Sequence, residues 1–316
     1  MHIFRHERAD GTNRGSAVAI GNFDGLHPGH QAVIAAAGDV ARTRGMPQAI
    51  LTFEPHPYAV FHPAAAPFRL TPFRSKARHI EALGVDLLFA LHFDREFAKR
   101  TAEQFIDEIL VAGLGVGHVA VGYDFVFGNQ RRGTADFLVD AARARGFGVT
   151  VVPRTVSPAG EAYSSTRIRE HLAGARPRDA AKLLGRWWEI DGRVEHAAGV
   201  GTGLGYPTAN LPMADYLRPA VGIYAAFAGI EEGKRTTWYP AAAYFGRRPT
   251  FGGDMLGLEV YLIDFAGDLY GRHLRLALVE YLRPDAGFAG LDALKTQIAD
   301  DVVRARRIVA NEKPEA

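Results

Sequence analysis

The first half of the chain alternates between two hydrophobic periods. Residues 16–20 form a short apolar run that stops at Gly21. A pattern of period 3.6 follows, with Val33, Ile34, Ala37, Val40 and Ala41 on one face and Gly45 as a stop. Residues 48–53 and 85–91 read as strands. Residues 101–112 read as a helix, with Phe105, Ile109 and Ala112 on one side. A strand over 116–121, a helix over 135–145 and a strand over 147–152 complete the series. Short apolar strands alternating with amphipathic helices predict a parallel sheet covered on both faces. Ligands of such sheets gather at the carboxyl ends of the strands.

The pattern changes after about residue 185. Short strand-like runs at 189–195, 222–228, 237–244, 257–265 and 273–281 are separated by Gly, Pro and Asp turns, which predicts an antiparallel barrel or sandwich. A long helix closes the chain from about Leu291, with Leu294, Ile298, Val302 and Ala305 as its apolar stripe. The expected domains are therefore residues 1–185 and 186–316. At about 150 residues per domain, 316 residues agree with two domains.

Composition narrows the class. Apolar residues make up 47% and charged residues 23%, ordinary values for a globular protein. The formal net charge is +2, and the basic residues are scattered, with pairs such as Arg131-Arg132 as the longest clusters. A nucleic-acid partner, which calls for a basic stripe or block, is not expected. The chain has no cysteine, so disulfides and thiolate metal sites are excluded. The charged first ten residues do not read as a signal peptide, and no apolar stretch approaches 18 residues. The expectation is a cytoplasmic protein with no membrane partner, a monomer or weak homo-oligomer.

Two motifs carry chemistry in the first half. Gly21-Asn22-Phe23-Asp24-Gly25-Leu26-His27-Pro28-Gly29-His30 starts where the first strand ends and runs into the first helix. Backbone N–H groups and the helix dipole favour an anion there. Gly25 and Gly29 permit close backbone approach. His27 and His30 can present N–H donors to one phosphoryl group. Taken alone, these are also ordinary turn residues and two surface histidines. The second motif, Ser164-Ser165-Thr166-Arg167-Ile168-Arg169, opens a helix after the fifth strand. Ser and Thr can cap that helix and donate to phosphate, and the arginines add charged donors. A capped helix with two solvated arginines fits the same residues.

With Thr52-Phe53-Glu54-Pro55-His56-Pro57 and Val121-Gly122-Tyr123-Asp124-Phe125, then Phe127-Gly128, these motifs resemble the adenylyltransferase module of bifunctional riboflavin kinase/FMN adenylyltransferase, the prokaryotic-type FAD synthetase. The resemblance spans the whole half and implies a Rossmann-like nucleotidyltransferase fold. It implies ATP on Gly21, Phe23, Asp24, Gly25, His27, His30, Ser165, Thr166 and Arg167, with His27 and His30 catalytic at the transferring phosphate. Thr166 and Arg167 then hold the β- and γ-phosphates. FMN is expected beside Phe53, Pro55, His56, Asp124 and Phe125. Val126 departs from the family, which often has a polar or basic residue there.

In the second half, Gly203-Leu204-Gly205-Tyr206-Pro207-Thr208-Ala209-Asn210 is not a Walker loop, because no Gly-Lys-Ser/Thr follows. A Gly-rich hairpin is the plain reading. Thr208 and Asn210 are oxygen donors two residues apart, suited to Mg²⁺. Glu259 interrupts an apolar strand, and is either a core ion-pair partner or a general base.

These segments resemble the riboflavin kinase domain of the same family. So do Gly222-Ile223-Tyr224, Gly246-Arg247-Arg248-Pro249-Thr250-Phe251, Asp268-Leu269-Tyr270-Gly271 and Leu282-Arg283. The resemblance implies a small antiparallel β-barrel with a terminal helix. It puts Mg²⁺-ATP on Thr208 and Asn210, Glu259 as base, and Gly205, Pro207 and Arg283 on ATP or flavin. ATP, riboflavin, FMN and FAD are then the substrates and products. Ala198 and Thr202 replace an acidic residue and an Arg common in the family, and Tyr244 stands where many members have Asn. Those changes motivate an alternative: an FMN adenylyltransferase whose kinase-like half is weak or regulatory.

Overall fold

The computed structural model describes residues 1–7, 13–195, 205–213, 215–233, 235–250 and 253–314. Two compact units account for them: Met1–Ala66 with Pro72–Tyr163, and Pro67–Thr71 with Ser164–Ala316.

The first unit is built on a six-stranded sheet: β1 (His2–Phe4), β2 (Ala17–Ile20), β3 (Gln48–Glu54), β4 (Leu87–His92), β5 (His118–Gly122) and β8 (Gly148–Val152). The order is β1-β4-β3-β2-β5-β8, and every pair is parallel. A small hairpin of β6 (Val126–Phe127) and β7 (Gly133–Thr134) follows β5. Strand β1 was not expected, because three residues are too few to show a period.

Alternate residues of β2 face opposite layers. Val18 and Ile20 pack with Phe105, Ile106, Ile109 and Leu138. Ala19 packs with Val33, Ile34 and Ala37 of α1 (Pro28–Arg44) and Ile80 of α3 (Phe73–Ala82). Helix α1 ends where expected: Gly45 is left-handed and its N–H bonds the Ala41 carbonyl. A short helix α2 (Pro57–Phe61) follows β3.

The helix expected at 101–112 is present but wound differently. Thr101 and Gln104 form a capping box, α4 (Ala102–Gln104) begins, and Phe105–Gly113 continues as a π-helix. The wider turn buries Phe105, Ile106, Ile109 and Leu110 and leaves Ala112 exposed, so the expected Ala112 contact is corrected. Helix α5 (Ala135–Arg145) has the expected ends, capped by the Thr134 side chain and by Gly146.

In the second unit α6 (Ser165–Ala173) and α7 (Pro177–Leu184) precede the strands. These are β9 (Trp188–Arg193), β10 (Ala209–Leu211), β11 (Gly222–Glu232), β12 (Arg235–Thr250), β13 (Gly253–Leu262) and β14 (His273–Arg283). Their order is β10-β13-β12-β11-β14-β9, all antiparallel. The sheet curls into a half-barrel, and an isolated bridge between Glu195 and Asn210, with Glu195 N–H donating to the Asn210 carbonyl at 3.0 Å, brings its two edges together. The C-terminal helix Leu291–Val309 lays Ala305 and Val309 on Ala225, Phe227, Ala277 and Val279.

Residues 67–71 join this unit from the middle of the first half. Leu217 N–H donates to the Arg69 carbonyl at 2.8 Å, and the Trp188 indole N–H to the Leu70 carbonyl at 2.9 Å. The compact units divide at Tyr163/Ser164.

Candidate functional site

The first candidate site starts at the carboxyl end of β2. Phe23 and Leu26 have positive φ, 49° and 45°, and both are buried at 1% exposure. A non-glycine residue is strained in that region, so burial of the two side chains must hold the turn. Gly25, at φ 90°, takes the same hand without that cost. Beneath the turn, the fully buried Lys76 donates to the Asn22 carbonyl at 2.7 Å, and Thr52 Oγ1 donates to the same carbonyl at 3.2 Å.

The turn delivers His27 to the N-cap of α1. Its Nδ1 accepts from the His30 backbone N–H at 3.2 Å, and its carbonyl accepts from the same N–H at 2.8 Å. The imidazoles of His27 and His30 stack at 3.7 Å with 14° between planes. The ring of Tyr163 lies 6.3 Å from that of His27, and the edge of Phe23 meets His30 at 5.5 Å. A Cβ on Gly29 would sit 3.2 Å from the His27 ring, so glycine leaves room for the stack. The cap bond accounts for His27 Nδ1. Asp24, 3% exposed, is buried in the turn.

A cavity of about 960 Å³ opens beside this turn, at the carboxyl ends of the strands. Gly21 and Asn22 line it, as do Phe53, His56, Asp124 and Phe125. Of the residues expected around a flavin, only Pro55 is outside its lining. The two histidines also lie outside it. Sequence reading missed much of the wall: Tyr58, Phe61, Phe93, Phe97 and Phe105. Phe53 meets Phe93 and Phe97 at 5.6 Å each, and Phe125 stacks on Phe127 at 5.3 Å. Arg100 lies over the Phe97 ring at 4.7 Å, and its Nε donates to Glu108 Oε2 at 3.2 Å. The available signal was a cluster of phenylalanines just after two sheet strands, which reads equally as core.

The Ser164–Arg169 motif opens α6 in the second unit. Ser164 is at the N-cap but its side chain makes no cap bond, and Ile168 is buried. Arg169 Nε donates to the Phe68 carbonyl at 2.8 Å, tying α6 to the 67–71 segment. The Ser165, Thr166 and Arg167 positions form the first turn of that helix.

The second candidate site lies on the barrel. Asn210 of β10 stands opposite Glu259 of β13, and Glu259 stands opposite Tyr244 of β12. Thr208 Oγ1 approaches Glu259 Oε2 at 3.4 Å. Asn210 is 6% exposed, and its Oδ1 is buried with no hydrogen-bond partner among the described residues. A buried acceptor in that state costs on the order of 1–3 kcal/mol unless a ligand fills it. Gly205 and Pro207 are exposed, and Tyr206 meets the ring of Tyr261 at 5.3 Å. The structure thus brings Thr208, Asn210 and Glu259 together. Arg283 is engaged differently: its guanidinium clasps Asp301 at 2.8–3.1 Å and donates to the Pro284 carbonyl at 3.0 Å. Ala198, Thr202 and Gly203 lie outside the described residues. Among the described residues, no helix is long and apolar enough to cross a membrane, and no group of three His, Cys, Asp or Glu could hold a metal.

Comparison with known proteins gives two family matches, FAD synthetase over residues 9–167 and riboflavin kinase over residues 184–309. Bifunctional riboflavin kinase/FMN adenylyltransferase of Escherichia coli K12 is 40% identical over 310 residues, covering 98% of this chain and 97% of that protein. The protein of the same description from Pseudomonas fluorescens is 42% identical over 311 residues, covering 98% and 96%. A Streptococcus pneumoniae crystal structure, described as a macrolide-efflux protein, superposes with a TM-score of 0.81 at 29% identity over 99% of both chains. Motifs, folds and near full-length similarity agree, and the chain belongs to the bifunctional riboflavin kinase/FMN adenylyltransferases.

Proposed function

We propose that the chain makes FAD from riboflavin in two ATP-dependent steps, with the barrel phosphorylating riboflavin and the parallel-sheet unit adenylylating FMN. The observation that carries this reading is the 960 Å³ aromatic cavity whose wall includes the first two residues of the phosphate turn. A large planar ligand and a phosphate group can be held side by side there.

In the adenylyl step, an oxygen of the FMN phosphate attacks the α-phosphorus of ATP and pyrophosphate leaves. No covalent enzyme intermediate is required, so positioning and charge stabilisation supply the catalysis. His27 and His30 are assigned to the transferring phosphate, supported by their stack at the N-terminus of α1. Gly21, Phe23, Asp24 and Gly25 shape the nucleotide turn. Ser165, Thr166 and Arg167 are assigned to the β- and γ-phosphates on the resemblance of their motif. Phe53, His56, Asp124 and Phe125 border FMN, with Pro55 next to them in the chain.

In the kinase step, the terminal ribityl hydroxyl attacks the γ-phosphorus of ATP, and ADP leaves. Glu259 takes the hydroxyl proton, which its strand position beside Thr208 and Asn210 supports. The buried, unpartnered Oδ1 of Asn210 and the nearby Thr208 hydroxyl fit a hard cation, so these residues would hold Mg²⁺. When bound, the ion neutralises phosphate charge that develops during transfer. Gly205 and Pro207 shape the nucleotide loop. Arg283, held by Asp301, sets the turn that follows β14 beside the flavin. A functional boundary near residue 185 is supported by the kinase match beginning at 184.

Single substitutions in the full chain test both assignments. His30→Ala should cut FAD formation by about 10²-fold or more while FMN formation survives. Glu259→Gln should cut FMN formation by about 10²–10⁴-fold and spare FAD formation from supplied FMN. Wild-type FAD synthesis in the first variant sinks the histidine assignment. A stable second variant with full kinase activity eliminates Glu259 as the base.

A further inference from the structure

The strand register places a fourth side chain beside the kinase residues. Asn210, Glu259, Tyr244 and Ile223 are directly opposed across the adjacent strands β10, β13, β12 and β11. Opposed residues of antiparallel strands project from the same face, with Cβ atoms about 4.5–5.5 Å apart. Two residues along each strand, the same face carries Ala225, Ala242 and Tyr261, which pack in the cluster containing Ala305 and Val309 of the C-terminal helix. Ile223, at one end of the row, packs against that cluster too, so the helix covers that end of the face, and Tyr244 and Glu259 lie next along the row.

Tyr244 is held in one orientation on this face. Its ring lies across Gly246, where any Cβ would collide with the phenol. Its hydroxyl donates to Asp285 Oδ2 at 2.9 Å, with the Arg247 carbonyl at 3.2 Å as a second acceptor. Asp285 sits in the turn between Arg283, clasped by Asp301, and the C-terminal helix. The ring is therefore supported beneath by a glycine, pinned at its tip, and half-buried beside the carboxylate. Neither proton removal nor phosphate stabilisation calls for a phenol at this position. A rigid aromatic flank next to the attacking hydroxyl is suited to seating a planar aromatic substrate.

We propose that Tyr244 is a specificity-determining residue of the kinase site, its pinned ring forming the wall against which the flavin substrate is seated. The inference rests on the reading of the Glu259 row as the kinase site. It predicts that Tyr244 sets affinity for the flavin and not for the nucleotide, and that the ring, more than the hydroxyl, provides the effect.

The test is steady-state riboflavin phosphorylation by the full chain, with Tyr244→Ala, Tyr244→Leu and Tyr244→Phe. FAD formation from supplied FMN serves as an internal control. Tyr244→Ala should raise the KM for riboflavin about tenfold or more and leave the KM for ATP within about twofold, the size expected for a lost aromatic wall. Tyr244→Leu, which keeps bulk without an aromatic face, should behave like Ala even if Ala lowers the barrel's stability. Tyr244→Phe keeps the ring and should stay within about threefold of wild type. An unchanged riboflavin KM in the Ala and Leu variants overturns the proposal, as does a parallel rise in both KM values. Equal loss in Phe and Ala variants shows a strut for Asp285, not a wall, and also overturns it. Glu259→Gln separates the underlying reading. If that variant keeps full activity while Tyr244→Ala shows the riboflavin-selective KM, the base assignment fails and the wall stands.

Discussion

The residues with the clearest sequence signal are those whose chemistry needs a fixed spacing. His27 and His30 are three apart, and the structure turns that spacing into a stacked pair capped onto α1. Lys76 carried no such signal: an isolated lysine reads as surface, yet it is fully buried beneath the Asn22 carbonyl. His118 was equally silent. It opens β5 at 5% exposure, its Nε2 is 2.8 Å from Thr150 Oγ1, and its Nδ1 has no hydrogen-bond partner among the described residues. Burial, and then the charge of Arg44, hold its pKa below the ordinary 6.5. The folded chain thus resists a proton that the unfolded chain accepts, so stability is complete above pH 6.5 and declines as pH falls through it. Urea unfolding of wild type and His118→Gln at pH 8 and pH 5.5 should show a larger loss on acidification in wild type. Equal losses would remove His118 as the source.

Elements were legible where period and caps coincided. Helix α5 has the predicted ends because Thr134 and Gly146 cap it. The barrel strands β11 to β14 were found but underestimated in length, since β12 runs on to Thr250 through Gly246 and Pro249, residues that normally mark turns. Helices α2, α3 and α7 went unread, being short segments among turn residues. The π-helical stretch at 105–113 could not be read either, because its burial departs from period 3.6. Between elements, one tie runs from Arg283 of β14 to Asp301 of the C-terminal helix, which is also bonded by Gln297 at 3.2 Å. The ion pair is largely shielded, with side-chain exposures of 17% and 5%. Removing one partner strands the other charge, at a cost of roughly 3 kcal/mol. Asp301→Ala should therefore lower the denaturant midpoint of the barrel by that order. A change below about 0.5 kcal/mol, the range of neutral surface substitutions, would contradict the role given to the pair.

At the scale of the whole molecule, the described residues form two compact units, and how the chain is shared between them is not a local property. Residues 67–71 leave the first unit and hydrogen-bond in the second, a long-range pairing that no local pattern encodes. A fragment beginning near Leu183 keeps the six barrel strands and the terminal helix. It should fold and bind riboflavin. It loses the acceptor for the buried Trp188 indole N–H, so its stability should be lower by about 1–3 kcal/mol than that of the same unit in the full chain. An unfolded fragment with no flavin binding would count against an independently folding kinase half.

Two successive transfers by one chain can be followed together in a chromatographic time course. The full-length protein is supplied with riboflavin, ATP and Mg²⁺, and riboflavin, FMN and FAD are quantified together. Riboflavin should be consumed, FMN should form with release of ADP, and FAD should form with release of pyrophosphate. Supplied FMN should be converted to FAD without riboflavin present. A chain that makes FAD from FMN but leaves riboflavin untouched would contradict the two-step reading and leave the barrel without kinase activity.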